Sequence, residues 1–410
     1  MREMKYSGVS WIGIIPSSWR LSQTRRLFRN DKEIVGDMVD NYERLALTLN
    51  GVIKRSKEDS EGLQPEKFEG YQILRPNELV FKMIDLENVN TSRVGLSPYT
   101  GLVSPAYIIL KNDNDDNRFA YYWFISMYYN EVFNHLGGNG VRSALNAKDL
   151  LSLPIPNISV NEQKSISDYL DSKCSQIDAA ISKQENMITS LKEYRASLIN
   201  EIVAVNSGVK CRLGLIADMK NGLNYSSVEE GTPIKFLSVG DFKDYFIINN
   251  KDMFSDLVIS NDVSDEYLLQ SGDIIFVRSN GSKELVGRAV MVCNIDFRVT
   301  YSGFCIRFRN QRKDVINNDY LLYYLRSSLF RGYLEKYSQG SNINNLSQDL
   351  LSGMPIVIPS MEYQKDSVLR LKRIDEIIDK KICQLQESVN KLKEYKRSLI
   401  FEVVTGKKEV

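Results

Sequence analysis

The sequence predicts an α+β fold in which two similar mixed α/β domains are separated by two long antiparallel coiled-coil helices, as a pseudo-twofold internal repeat. Three observations carry this prediction. A helical phrase, LKEYRASLINEIV (191–203), returns 201 positions later as LKEYKRSLIFEVV (392–404), with nine of thirteen residues identical. Apolar residues recur in steps of three and four around both copies. The segments ahead of each copy also repeat, more loosely and at nearly the same offset.

Length and composition restrict the classes of protein that fit. A chain of 410 residues exceeds the ~250–300 residues at which single cores stop growing, so two or more domains are expected. The longest apolar runs are far shorter than the ~18 residues of a membrane span, and residues 1–20 show no signal peptide. Five scattered cysteines without a C-x-x-C pair favour a reducing, cytoplasmic location. The formal net charge is only +1, so binding to nucleic acid would need locally concentrated basic groups or partner subunits.

The region around each copy of the phrase has the apolar periodicity of a coiled coil. Seven of the nine seam positions from 174 to 202 are apolar, and so are seven of the nine that lie 201 residues later. We therefore predict helices near 161–204 and 361–404, each roughly 65 Å long. Two ordinary amphipathic helices are the alternative. The residues expected to pack at the seam are Ile177, Ile181, Ile188, Leu191, Leu198, Ile378, Ile382, Leu385, Val389, Leu392 and Leu399.

Two basic residues, Arg195 and Lys396, occupy seam positions. An unpaired charge at such a position would be costly. We expect carboxylates of a partner subunit, or solvent, to receive them.

The short connections decide the orientation of the helices. Only a short Asn-Ser-Gly segment (206–208) separates the first helix from the second domain, and few residues lead into the second helix. Parallel helices would force the second domain to bridge ~65 Å, whereas antiparallel helices bring the two ends together. The predicted boundaries are domain one, 1–156; spacer helix one, 157–205; domain two, 206–357; and spacer helix two, 358–410.

The interiors of the two domains also correspond. Short β-branched and aromatic strands, followed by a Tyr-rich helix near 118–134, are expected, with Tyr121, Tyr122 and Trp123 in the core. The matched segments are NELVFKM (77–83) with GDIIFVR (272–278), VSPAYIIL (103–110) with YSGFCIRF (301–308), and RFAYYWFIS (118–126) with DYLLYYLRS (319–327).

In this order, the motifs resemble those of the DNA-specificity subunit of type I restriction-modification enzymes. The resemblance covers essentially the whole chain. It is carried by WIGIIPSSW (11–19), by VFKM followed by VSPAYIIL, by SGDIIFVRSNG with VGRAV, and by LKEY(R/K)xSLI in both spacers, the second followed by EVVTGK.

The resemblance implies two target-recognition domains, each reading one half of a split double-stranded DNA sequence. The helices would set the gap and dock two methyltransferase (modification) subunits, and restriction/translocase subunits would complete the complex. The family's cofactors, S-adenosylmethionine, ATP and Mg²⁺, would belong to those partners, and none is expected in this chain. The chain itself is thus expected to be a non-catalytic specificity subunit.

The motifs in the sequence agree with a chain that does not itself catalyse a reaction. Its single histidine, His135, excludes a His-based triad or a multi-His metal site within the chain. There is no G-x-x-x-x-G-K-[ST] phosphate loop and no Asn-Pro-Pro-aromatic motif of the kind that amino-methylating enzymes use to hold a flipped base. We therefore predict no catalytic residue and no metal site.

Sequence reading needs donors and acceptors on loops or helix ends, with Lys and Arg nearby for phosphates. RSNGSKELVGR (278–288) fits this description, as do the basic stretch at 54–57 and the pair GGNGVRS (137–143) and SQGSNINN (338–345). A polar hairpin turn is the alternative for the first segment, and glycine-containing helix C-caps for the last two. The candidate DNA-binding residues are Lys54, Arg55, Lys82, Arg93, Asn139, Arg142, Arg278, Ser279, Asn280, Lys283, Arg288, Gln339, Asn342 and Asn344.

A second functional hypothesis is a symmetric coiled-coil scaffold whose end domains bind proteins or other ligands. Such a scaffold should lack the steep salt dependence that phosphate contacts produce. A combined restriction-methylation enzyme is disfavoured by the missing catalytic motifs.

Overall fold

The computed structural model describes residues 2–49, 51–58, 67–83, 93–114, 116–134, 144–225, 227–243, 245–260, 262–282, 284–337 and 345–410. The chain divides into two compact units. Unit one comprises Met1–Glu185 with Gln386–Val410, and unit two comprises Asn186–Leu385. This division falls inside both long helices, so each unit holds one α/β domain and a segment of each helix. The domain boundaries drawn from the sequence repeat stay predictions.

Domain one consists mainly of short strands. The predicted Tyr-rich helix ends earlier than expected, at Tyr129, because Glu131 adopts a φ of 55° in the left-handed region that ends helices. The elements are β1 (Met4–Tyr6), β2 (Ile14–Pro16), β3 (Arg20–Gln23), β4 (Arg44–Thr48), β5 (Gly51–Arg55), β6 (Gln72–Leu74), β7 (Leu79–Phe81), β8 (Val94–Leu96), β9 (Gly101–Val103), β10 (Ile108–Leu110), α1 (Arg118–Tyr129), α2 (Ala147–Ser152) and β11 (Pro154–Asn157).

The first long helix leads into domain two, and the second follows it. The elements are α3 (Val160–Val203), β12 (Val209–Arg212), β13 (Ala217–Asn221), β14 (Thr232–Leu237), β15 (Ile247–Ile248), β16 (Ser255–Ile259), β17 (Ile274–Val277), β18 (Ala289–Val292), β19 (Val299–Tyr301), β20 (Cys305–Asn310), α4 (Asn318–Leu325), α5 (Ser328–Tyr337), α6 (Gln348–Gly353), β21 (Pro355–Ile358) and α7 (Met361–Val404). Within the described ranges, no helix is apolar over a length that could cross a membrane.

The two domains share their strand pairing. Domain one has the sheets β5-β4-β9-β6 and β10-β7-β8, and domain two has β16-β14-β19 and β13-β20-β17-β18-β15. The pairs β4–β9 and β14–β19 are both parallel, and the first and last strands of each domain pair antiparallel, as β3–β11 and β12–β21. Helix α4 begins 200 residues after α1, and helices α6 and α7 begin 201 residues after α2 and α3. The internal repeat of the sequence is thus confirmed as a repeat of the fold.

Each domain packs its main core against the long helices of its own unit. In unit one, Trp19, Trp123 and Phe124 are buried with Leu170 of α3 and Val403 of α7. Each large apolar side chain removed from water contributes roughly 1.5–3 kcal/mol, so this core fixes the domain to the helices. Of the three residues predicted for the core, Tyr122 and Trp123 lie in it, and Tyr121 is half-buried and packs against it.

Unit two repeats this arrangement. Tyr320 and Phe330 are buried with Ile202 of α3 and Leu371 of α7. The amide of Ser328, at the start of α5, donates to the side chain of Asn200 on α3 at 2.9 Å.

The ends of the chain meet in unit one. Lys407 Nζ donates to the carbonyl of Ile12 at 2.7 Å, and Arg2 pairs with Glu409 at 3.1 Å. Gly406 has a φ of 69°, and a Cβ there would lie 2.5 Å from the ring of Pro16. The end of α7 therefore packs on domain one, as the end of α3 packs on domain two.

The long helices run antiparallel in unit one. Lys396 Nζ lies 2.7 Å from Asp178 Oδ2, and Lys393 Nζ lies 3.3 Å from Glu185 Oε1. Residue numbers therefore rise along α3 as they fall along α7.

Unit two gives the same result. Arg195 Nη1 lies 2.6 Å from Asp379 Oδ1, and the Tyr363 hydroxyl donates to the carbonyl of Ile202 at 2.9 Å. The predicted antiparallel orientation is confirmed. Among the predicted seam residues, the buried ones are Ile177, Ile181, Ile378, Ile382, Leu385, Val389 and Leu399, and the half-buried ones are Ile188, Leu191, Leu198 and Leu392.

The expected fate of the two seam cations is wrong. We expected carboxylates of a partner subunit, or solvent, to receive Arg195 and Lys396, but Asp379 and Asp178 of the same chain do so. The two ion pairs are repeat equivalents, because Asp379 lies 201 residues after Asp178 and Lys396 lies 201 residues after Arg195. Antiparallel helices bring each cation opposite the aspartate of the other copy, an arrangement that neither helix reveals by itself.

Candidate nucleic-acid interface

Backbone hydrogen bonds bring two of the predicted DNA-reading segments of domain two together. The amide of Leu346 donates to the carbonyl of Arg278 at 2.7 Å, and Ser279 forms an isolated antiparallel bridge with Asn345. The loop that follows β17 therefore lies beside the end of the 338–345 segment. Both segments, 278–288 and 338–345, were candidates from the sequence, but the sequence did not indicate that they lie together.

A third segment, the turn between β19 and β20, completes this arrangement. The amides of Arg278 and Ser279 both donate to the carbonyl of Phe304, at 2.7 and 3.4 Å. The Arg278 guanidinium, half-buried, donates to the carbonyl of Gly303 at 3.3 Å. In the same loop, the side chain of Asn280 accepts a hydrogen bond from the amide of Ser282 at 2.8 Å.

A fourth segment follows β13. The amide of Gly303 donates to the carbonyl of Leu223 at 3.0 Å, and the amide of Gly222 donates to the carbonyl of Cys305 at 3.1 Å. A Cβ on Gly222 would lie 2.3 Å from the carbonyl oxygen of Ser302, so only glycine allows this close approach. We call residues 222–224, 278–280, 302–304 and 345–346 the loop cluster.

Sequence reasoning missed the apolar members of the loop cluster. Phe304 is 54% exposed and Leu223 is 40% exposed. Both lie beside polar residues, Asn224 and Arg278, that can donate or accept hydrogen bonds. The available signal was the alignment of YSGF with VSPA, which places different side chains on one turn.

Domain one contains the counterpart of the loop cluster. The amide of Leu145 donates to the carbonyl of Met83 at 2.9 Å, as Leu346 does to Arg278 in domain two. Strand β10 pairs with β7 so that Ile108 faces Phe81, which matches Ile306 opposite Phe276 in domain two. The two domains therefore present equivalent segments at the same edge of equivalent sheets.

The basic stretch of domain one has a local counter-charge. Lys54 Nζ lies 2.5 Å from Glu43 Oε2 and 5.4 Å from the centre of the Tyr99 ring. The hydrogen bond to Glu43 raises the pKa of Lys54. Arg55 lies beside it, half-buried, in a depression that is also lined by Lys57. A phosphate approaching Lys54 would compete with Glu43.

The other predicted contact residues differ in accessibility. Arg93 is only 2% exposed, and its carbonyl accepts from the amide of Lys82 at 3.0 Å, so the Arg93 side chain does not reach the surface in this structure. Lys82 and Arg288 are half-buried. The candidates that lie outside the described residues are Asn139, Arg142, Lys283, Gln339, Asn342 and Asn344.

A cysteine lies next to the loop cluster and is shielded from solvent. Cys305, next to the loop cluster, is buried, and burial raises the pKa of its thiol to about 12, so the thiol remains protonated and is a poor nucleophile. Within the described ranges, no group of His, Cys, Asp or Glu residues is arranged to hold a metal ion.

Comparison with known proteins agrees with this geometry. Residues 212–390 match the family model described as the type I restriction modification DNA specificity domain. The chain is 26% identical over 309 residues to the type I restriction enzyme StySPI specificity subunit of Salmonella potsdam, covering 71% of this chain and 65% of that protein. It is 26% identical over 303 residues to the EcoKI specificity subunit of Escherichia coli K12, covering 70% and 64%.

The chain is therefore similar to type I restriction-modification specificity subunits over most of its length, and residues 212–390 match the DNA specificity domain of that family. The matched region spans about two thirds of the length of these relatives. A chain from a solved structure concerned with complex assembly and conformational transition of the type I R-M system has the same fold, with a TM-score of 0.67 at 15% identity and coverage of 95% of this chain and 98% of that one.

Proposed function

We propose that this chain is the non-catalytic DNA-recognition subunit of a type I restriction-modification complex. Each domain reads one half of a bipartite double-stranded DNA target. The observation that carries the proposal is the equivalent arrangement of the Leu346–Arg278 and Leu145–Met83 contacts in the two domains. A chain with two domains that present equivalent loops suits a DNA target made of two separate parts.

We further propose that α3 and α7 set the gap between the half-sites and dock two methyltransferase subunits. Support comes from Tyr194 and Tyr395, which are 201 residues apart and are 58% and 53% exposed on the two helices. Equivalent exposed aromatic side chains suit two copies of one partner, since aromatic residues are enriched at interfaces.

Restriction/translocase subunits would complete the complex in the cytoplasm. S-adenosylmethionine, ATP and Mg²⁺ would be held by the partner chains.

The test of this function is the salt dependence of DNA binding, measured with the partner methyltransferase present. For six to ten phosphate contacts, affinity for random duplex DNA should fall on the order of a thousandfold or more between about 50 and 200 mM salt. A flat salt dependence would contradict DNA recognition and favour a coiled-coil scaffold that binds other ligands.

A further inference from the structure

We propose that Phe304 reads the 5-methyl group of a thymine in the major groove of the half-site bound by domain two. Ala106 occupies the equivalent position in domain one. This inference rests on the proposed function and names a residue that determines its specificity.

The exposure of Phe304 is the first observation. Its side chain is 54% exposed, and among the described residues it is the one exposed phenylalanine. Exposing a large aromatic ring forgoes the stability that its burial would provide. A single exposed apolar side chain is common on protein surfaces, but this ring lies in the loop cluster, where the neighbouring segments meet, and that position makes it a candidate for contact with a ligand.

The second observation is that the backbone around Phe304 is fixed on both sides. Its amide donates to the Ser302 hydroxyl at 3.2 Å, and the amide of Cys305 donates to the carbonyl of Ser302 at 2.8 Å. Its carbonyl accepts from Arg278 and Ser279. A backbone held in this way presents the ring at little entropic cost on binding.

The third observation is that domain one builds the same turn with a different side chain at its tip. The amide of Ala106 donates to the Ser104 hydroxyl at 3.3 Å, and the amide of Tyr107 donates to the carbonyl of Ser104 at 3.0 Å. Ala106 is exposed, as Phe304 is. If the two domains read different sequences, we expect equivalent turns to carry different side chains at the positions that contact the bases.

The chemistry of the ligand follows from the neighbours. The backbone amides of Arg278 and Ser279 contact the turn, and Asn224 lies beside Gly303. Their side chains carry donors and acceptors of the kind that suit base edges and phosphates. The thymine methyl is the apolar group that a base pair presents in the major groove, and phenylalanine side chains contact it in protein–DNA complexes. An alanine at position 304 is shorter than phenylalanine and would not reach the same methyl group. An apolar tip within a polar rim therefore fits a T·A pair among hydrogen-bonded neighbours.

The first test compares sequence preference. The complex assembled with its partner subunits is used to select duplexes from a random library, with the wild-type chain and with Phe304→Ala. The variant should lose on the order of tenfold discrimination at one or two T·A positions of one half-site, while the other half-site keeps its preference. Leu215→Ala is the matched control, because Leu215 is 71% exposed in the same domain but outside the loop cluster.

The second test needs no protein variant. Deoxyuridine, which lacks the 5-methyl group, replaces each thymine of the selected half-site in turn. One replacement should weaken wild-type binding by the same factor as Phe304→Ala, and the same replacement should have no further effect on the variant.

The outcomes separate the two proposals. Unchanged affinity after every replacement, or an unchanged preference in Phe304→Ala, would overturn the inference and leave the proposed function intact. A loss in Phe304→Ala that does not depend on any methyl group would also overturn it and would assign the ring to wedging between base steps. If the wild-type complex selects no sequence, the proposed function itself fails.

Discussion

Asp375 on α7 is a carboxylate in a poorly solvated position. The Tyr323 hydroxyl donates to its Oδ2 atom at 2.5 Å, and Oδ1 accepts no hydrogen bond within the described part of the chain. Burial raises the pKa of Asp375, against the hydrogen bond from Tyr323 and the charge of Arg195, which lower it. The equivalent position in the first repeat holds Cys174, which does not carry this charge.

The raised pKa gives a pH dependence with a definite sign. The contribution of Asp375 to the free energy of unfolding is present below its unfolded pKa, about 4, and is lost as pH rises through the higher folded pKa. Asp375→Asn cannot ionise and keeps an acceptor for Tyr323. The variant should therefore gain stability relative to wild type as pH rises from about 4 to neutral, measured by urea unfolding.

The control for this measurement is Asp366→Asn, an exposed aspartate on the same helix. It should follow wild type at each pH. An Asp375→Asn variant that is less stable than wild type at neutral pH would contradict the explanation by burial.

Individual residues of the loop cluster could be predicted from the sequence only in part. Arg278 and Asn280 were found because polar residues around a glycine suggest an accessible turn. Phe304 was missed because apolar residues are assigned to the core by default. Arg93 was expected to contact DNA because it corresponds to a basic residue of the 278–288 segment, yet strand β8 begins at the next residue and the Arg93 side chain is buried.

At the scale of elements, an ion pair joins each domain to a long helix, and the two repeats place the charges in opposite order. The cation belongs to the domain in unit one and to the long helix in unit two. In unit one, Arg118 of α1 pairs with Asp171 of α3 at 2.6 Å. In unit two, Asp319 of α4 pairs with Lys372 of α7 at 2.7 Å. Positions 118 and 319 are repeat equivalents, as are 171 and 372. Each domain is therefore matched electrostatically to its own helix.

A double-mutant cycle tests this pairing. Asp319→Arg alone places like charges together and should destabilise unit two, and Lys372→Asp alone should do so too. The double variant recreates the order of charges found in unit one and should recover about 0.5–1 kcal/mol of coupling energy in thermal or urea unfolding. Coupling energy indistinguishable from zero would show that the pair does not help to match domain and helix.

The long helices were predicted to within one residue at each end. Helical periodicity is a local signal, and the two copies of the repeat indicate the same boundaries. Strand order inside the domains was not predicted, since the parallel pair β4–β9 depends on contacts between residues distant in the sequence. The pairing of Arg195 with Asp379 was missed for the same reason.

At the scale of the whole molecule, we propose that the domains read bases and that the long helices set the spacing between the half-sites. Removing one heptad from α3 (182–188) and the facing heptad from α7 (386–392) shortens each helix by ~10 Å. This is close to the length of three base pairs along the DNA axis. The complex should then select a motif with a shorter gap, or lose tight binding, with both half-sites unchanged. A new half-site sequence would contradict this division of roles.

The most direct measurement is a map of methylated adenines in the genome of cells that make the complete complex. We predict a methylated motif of two short specific segments separated by a gap of constant length. We also predict that methylation disappears when this chain is deleted. One uninterrupted motif, or methylation that persists without the chain, would contradict it.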